Sequence, residues 1–168
     1  RDGQYIALVG CLKECLAFGN GEFFLAILDS NNILPPQLVK VDPKARILDV
    51  VFSPDADALY YSVKQDVVRY DMSSKTSKVI WTPKGDQGYA FLGISPDGTM
   101  LAISNIHSLN ILSLPDFNVE KVISGNFFGN FQSPVFSSDS MRLVIPSQEL
   151  RAEMTMYDTA TWAPFRVF

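Results

Sequence analysis

Three phrases in this chain stand in register. They are Phe52-Ser53-Pro54-Asp55, Ile94-Ser95-Pro96-Asp97 and Phe136-Ser137-Ser138-Asp139, each starting 42 residues after the one before. Each leads into an apolar burst: Leu59-Tyr60-Tyr61, Leu101-Ala102-Ile103 and Leu143-Val144-Ile145. A second marker closes each unit, at Leu28-Asp29, Tyr70-Asp71, Leu112-Ser113 and Tyr157-Asp158, with spacings of 42, 42 and 45 residues. A period of this size, filled by short strands and turns, means one supersecondary unit used several times, each needing its neighbours to bury its faces.

The third unit shows the plan most clearly. Tyr89–Ile94 is a short apolar run bounded by Gly and Pro, too short for a helix. Ser95-Pro96-Asp97-Gly98 is turn chemistry: Pro presets φ, Asp bonds to the backbone that follows, and Gly accepts positive φ. Met100–Ser104 reads as a strand covered on both faces, Ser108–Leu112 as one that alternates, and Val119–Ile123 as a polar outer strand. The second unit runs Ile47–Phe52, Ala58–Ser62, Val67–Tyr70 and Lys78–Trp81; the fourth runs Gln132–Phe136, Arg142–Ile145, Met154–Tyr157 and Phe165–Phe168. The first opens at Asp2–Leu8, which matches Asp97–Ile103, so its innermost strand is missing. Such units are the blades of a β-propeller. The expected fold is all-β, with blades of four antiparallel strands at about 1–42, 43–84, 85–126 and 127–168. About four blades are present, the first without its inner strand, and together they read as one segment of a larger propeller.

With the Ser-Pro-Asp-Gly turns in place, the whole chain resembles the WD-repeat family of β-propellers and their divergent relatives. It departs from the family in two respects. Gly85-Asp86 and Gly125-Asn126 stand where a Gly-His pair is usual, and Tyr-Asp, Leu-Asp or Leu-Ser replaces the terminal Trp-Asp. The hydrogen-bond network that the family builds on those residues therefore does not carry over. The resemblance implies an interaction module for protein partners, within a multi-subunit complex.

The net charge is −4, and the 14 Lys and Arg residues are scattered singly, which argues against direct binding of nucleic acid. No apolar run is long enough to cross a bilayer, so no membrane insertion is expected. The two cysteines, Cys11 and Cys15, are too few for a disulfide framework and read as structural thiols rather than zinc ligands. They favour a reducing, intracellular setting, cytoplasmic or nuclear.

The motifs of chemistry are missing. Gly93–Gly98 lacks the glycine that a nucleophile elbow needs two residues after the serine, and the same phrase is a turn in neighbouring units. No phosphate loop, metal-binding helix or calcium loop occurs, and neither a cofactor nor a metal is expected. His107, the one histidine, falls in a turn, and Asp55, Asp97 and Asp139 share one turn position.

Loops distinguish the blades. Turns between second and third strands share a face with the links between blades. In the first blade that turn swells to Gly10–Gly21 and carries Leu12, Leu16 and Phe18. The link into the fourth blade contains Phe127 and Phe128 between glycine and asparagine. Aromatic residues on a rim are candidate partner anchors; the packing alternative is that either ring folds over the neighbouring blade. Trp81 and Trp162 read as packing. The expected function is a non-catalytic protein–protein interaction scaffold, with Phe18, Phe127, Phe128, Leu12, Leu16 and His107 as the partner-binding residues. The alternative is an accessory or gating propeller domain of a larger enzyme, such as a prolyl-oligopeptidase-like hydrolase.

Overall fold

The computed structural model describes residues 4–12, 22–31, 33–84, 88–125, 127, 133–149 and 151–167. Among these residues there are strands and turns and no helix. The first sheet holds β1 (Tyr5–Leu12), β2 (Glu22–Asp29) and β3 (Gln37–Val39). The second holds β4 (Ile47–Phe52), β5 (Ala58–Val63), β6 (Asp66–Asp71) and β7 (Thr76–Trp81). The third runs β8 (Phe91–Ile94), β9 (Met100–Ser104), β10 (Ser108–Ser113) and β11 (Val119–Ser124). The fourth runs β12 (Val135–Phe136), β13 (Arg142–Glu149), β14 (Arg151–Asp158) and β15 (Pro164–Val167). Every pairing is antiparallel between strands adjacent in sequence, and the first sheet has three strands where the others have four.

The sheets stack face to face, and strand alternation divides the second and third between two cores each. From β5, Leu59 and Tyr61 join Leu25, Ile27 and Val39 of the first sheet, while Tyr60 joins Leu92, Leu101 and Ile103 of the third. From β9, Ala102 turns the other way, with Leu109 and Ile111, to meet Phe136, Leu143 and Ile145. Trp81 and Trp162 are half-buried against the second and third of these cores. The inner strands follow one another, with β4 against β8 and β8 against β12. At Gly93 that approach leaves no room, because a Cβ would lie 2.0 Å from the Pro134 carbonyl oxygen.

The repeated turns share one hydrogen-bond pattern. Ser95 Oγ accepts the Met100 amide at 2.9 Å and donates to Asp97 Oδ1 at 2.6 Å, while the Ser95 amide donates to the Met100 carbonyl at 2.9 Å. Ser137 does the same with Arg142 and Asp139. Ser53 pairs likewise with Ala58 but donates to Asp57, two residues beyond the expected Asp55. The fourth turn residue has positive φ each time: Ala56 at 59°, Gly98 at 73° and Ser140 at 62°. Ser140 compensates for its strain, since its Oγ accepts the Asp97 amide of the preceding blade at 3.1 Å.

Two hairpins are longer than the sequence predicts. β1 continues through Gly10, Cys11 and Leu12, which were expected in the loop, and pairs with Glu22–Leu25. Gly10 is there because the Phe24 ring lies where its Cβ would stand, at 2.2 Å. The hairpin of β13 and β14 likewise extends past Ile145 to pair Glu149 with Arg151. Cys11 is disulfide-bonded, which corrects the thiol reading and removes its support for a reducing compartment.

Two outcomes follow. Gly93→Ala forces the third and fourth sheets apart and costs about 1–3 kcal/mol by the usual cost of overpacking, read from urea unfolding. The second concerns acid. Burial pushes Asp97 upward, but bonds from Ser95 and Thr99 outweigh it and hold the carboxyl below its ordinary value. The Ser137 hydroxyl and Met141 amide lower Asp139, and the Thr161 hydroxyl and amide lower Asp158. Folded values below the unfolded one stabilise the fold above about pH 4 and lose that contribution as pH falls through them. The unfolding free energy therefore stays level from neutrality toward pH 5 and drops below about pH 4, and Asp97→Asn flattens the drop.

Candidate interaction face

Antiparallel order puts the turns between second and third strands on one face, together with the links from one sheet to the next. In the second sheet that turn is the short Lys64-Gln65 reversal, with Lys64 at φ 56°. In the third it is Asn105–Ser108, and the Asn105 side chain builds it. Asn105 Oδ1 accepts the His107 amide at 3.0 Å, the Ser108 amide at 2.9 Å and the Ser108 hydroxyl at 3.1 Å. Ser108 Oγ in turn accepts Asn110 Nδ2 at 2.9 Å. Both asparagines are buried, and Asn105 Nδ2 is the one buried side-chain nitrogen or oxygen without a hydrogen-bond partner among the described residues.

These three side chains line a cavity of about 520 Å³ between the second and third sheets. Trp81 and the link residues Thr82, Pro83 and Lys84 form its other side. Val119 and Val122 of the edge strand β11 complete it. These valines are an odd number of residues apart and would normally face opposite ways. The register of β11 slips by one residue between their partners, Leu112 and Asn110, so both turn toward the same cleft. On the opposite face a smaller cavity of about 250 Å³ lies among the repeated turns, with Asp57, Tyr60, Arg69 and Asp97 in its wall.

His107 is exposed at the tip of the Asn105–Ser108 turn, and its carbonyl accepts the Gly125 amide at 3.1 Å. Phe127 follows closely, its amide bonded to the Ile106 carbonyl at 3.1 Å. Its ring is half-buried and packs against the core shared by the third and fourth sheets. His107 and Phe127 thus belong to one hydrogen-bonded corner of the predicted face. Leu12 ends β1 opposite Glu22 on the long first hairpin. Phe18, Leu16 and Phe128 lie outside the described residues.

Sequence reasoning missed Asp49. It sits in the innermost strand of the second sheet, at a bulge between Ile47 and Val50, where its amide donates to Ser62 Oγ at 3.1 Å. The bulge aims the carboxylate across the stack. Asp49 Oδ2 accepts the Leu92 amide of the third sheet at 2.7 Å and the hydroxyl of Ser133, at the entry to the fourth. Positions 49, 91 and 133 are one period apart, and a lone carboxylate in the apolar run Ile47–Phe52 was the available signal. Asn105 was legible only as a turn residue, and Asn110 only as a polar position in an alternating strand.

No protein-family model matches the chain, and no curated protein sequence matches it. Solved structures do. U3-55K superposes with a TM-score of 0.65 at 16% identity, over 79% of this chain and 41% of that one. TolB from Acinetobacter baumannii gives 0.67 at 20% identity, over 86% of this chain and 37% of that one. A chain of the mitotic checkpoint complex gives 0.67 at 14% identity, over 86% of this chain and 45% of that one. The chain therefore spans less than half the length of each of these three. These likenesses show the fold alone: stacked blades of a β-propeller.

Asp49→Ala leaves the buried Leu92 amide without its acceptor. The expected loss is about 2 kcal/mol of unfolding free energy, from the usual cost of orphaning a buried donor. Hydrogen exchange at the Leu92 amide accelerates with it, whereas Asp49→Asn, which keeps an acceptor oxygen, loses less.

Proposed function

We propose that the chain is a non-catalytic protein-interaction scaffold that presents the face of second-to-third-strand turns and inter-sheet links to protein partners within a multi-subunit assembly. The observation that carries this reading is the convergence on one face of the Asn105–Ser108 turn, the corner at His107 and Phe127, and the cleft between the second and third sheets. A stacked sheet array holds such elements rigidly, and binding energy concentrates where apolar side chains and a few polar groups meet in a depression. Phe18, Phe128, Leu12 and Leu16 extend the same face in the proposal, with Phe127 supporting it from within. One similar structure, a chain of the mitotic checkpoint complex, belongs to an assembly, which supports the reading by fold analogy. The scattered basic residues support protein rather than nucleic acid as the partner.

Affinity capture from native lysate compares the chain with a Phe18→Ser, Phe128→Ser variant of it. The expected result is a stoichiometric partner whose recovery falls at least tenfold with the variant while the thermal midpoint is unchanged. Recovery of no partner by either bait overturns the reading.

A further inference from the structure

The two ends of the stack carry core positions that stay exposed, a feature independent of the scaffold reading. Strand pairing aligns the first sheet with the second: Ile6 lies opposite Leu28 as Leu59 lies opposite Tyr70, and Leu8 opposite Ala26 as Tyr61 lies opposite Val68. Leu59 and Tyr61 pack on the first sheet, Leu101 and Ile103 on the second, and Leu143 and Ile145 on the third. None of these six is more than 3% exposed, whereas Ile6 is 54% and Leu8 48% exposed. Leu38, opposite Ala26 on the same face, is exposed too.

The far face of the fourth sheet is the counterpart. In the third sheet Gly93, Ala102 and Ile111 stand side by side and turn toward the fourth, with Ala102 and Ile111 wholly buried. In the fourth sheet Val135, Val144 and Met156 form the same row, and Pro146 with Met154 forms the next, as Ser104 with Leu109 does. Leu109 is wholly buried, but Met154 is 46% and Val135 62% exposed. Arg142, paired with Asp158 at 2.8 Å and set over the Phe165 ring, bounds these apolar rows at one end. One end of the stack thus offers a front face and the other a back face, the two kinds that already meet in three internal cores. They do not meet each other, because no strand of the first sheet approaches one of the fourth among the described residues. We propose that a second copy of this chain covers both ends, front on back and back on front, so that two copies related by a two-fold axis close an eight-bladed ring. A partner must present both kinds of face at once, and a copy of this chain carries one at each end. The joints continue the packing used inside the chain, and rings of about four to eight blades close.

Sedimentation equilibrium of the full chain across micromolar concentrations tests this. The expected result is a dimer without larger species, since a closed ring has no end left to extend. Leu8→Asp spoils the front face and Met154→Asp the back face, both at half-exposed side chains, and each should weaken dimerisation at least tenfold. Mixing the two variants tests the polarity of the joint. The front of the Met154→Asp copy and the back of the Leu8→Asp copy are both intact, so a one-to-one pair returns, read by energy transfer between fluorophores on the two variants. Ile6→Gln and Val135→Gln take their places if either aspartate variant loses the circular dichroism of the folded chain. A monomer at every concentration overturns the proposal and leaves the two faces to blades of another sequence. Polymers that lengthen with concentration overturn it as well, because their joints do not close. So does a dimer that survives Met154→Asp, or a folded variant pair that fails to associate on mixing.

Discussion

The structure depends on strands that are buried on both faces. β5 sends Leu59 and Tyr61 to one core and Tyr60 to the next, and β9 divides Leu101 and Ile103 from Ala102 in the same way. A sheet with two apolar faces has no stable existence in water, and each neighbour supplies half of the cover. Burial of a large aliphatic side chain contributes about 1.5–3 kcal/mol, so the cover on either face decides whether the central sheets persist. Spacing between the sheets must then be uniform. That is why the Pro134 carbonyl passes so close over Gly93 and why the serine turns repeat one backbone pairing.

The serine in those turns does what a backbone ladder cannot. At a hairpin end, two amides and a carboxylate must be satisfied within a few residues, and one hydroxyl accepts from the strand amide while donating to aspartate. The carboxylates are thereby held in their charged form, and the turn position tolerates residues other than glycine. Ser140 turns that tolerance into a tie between blades through the Asp97 amide.

The repeat made the fold legible to nearly the residue. Ile47–Phe52 and Met100–Ser104 match β4 and β9, because alternation, turn chemistry and period all agree there. The errors came where one residue type has two physical meanings. Gly10 reads as loop punctuation, yet it is a strand position that admits the Phe24 ring. Cys11 reads as a thiol because two cysteines are too few for a disulfide framework, yet a single bond needs no framework. The face of second-to-third-strand turns and inter-sheet links was legible in outline, because strand order alone fixes which loops share it. The polar cleft was not, because an asparagine that merely shapes a turn and one that also leaves a donor unpaired have the same sequence.

Arrays of stacked repeats usually behave as nearest-neighbour chains, in which each unit senses only the two beside it. The carboxylate of Asp49 breaks that rule. By reaching both the Leu92 amide and the Ser133 hydroxyl, it joins the second sheet to the third and also to the entrance of the fourth. A link that skips one unit penalises the opening of any single unit, because loosening the third sheet disturbs a bond that belongs partly to the fourth. Three blades thereby share one fate, and the cleft between the second and third keeps its shape because the blade beyond it helps to hold the walls.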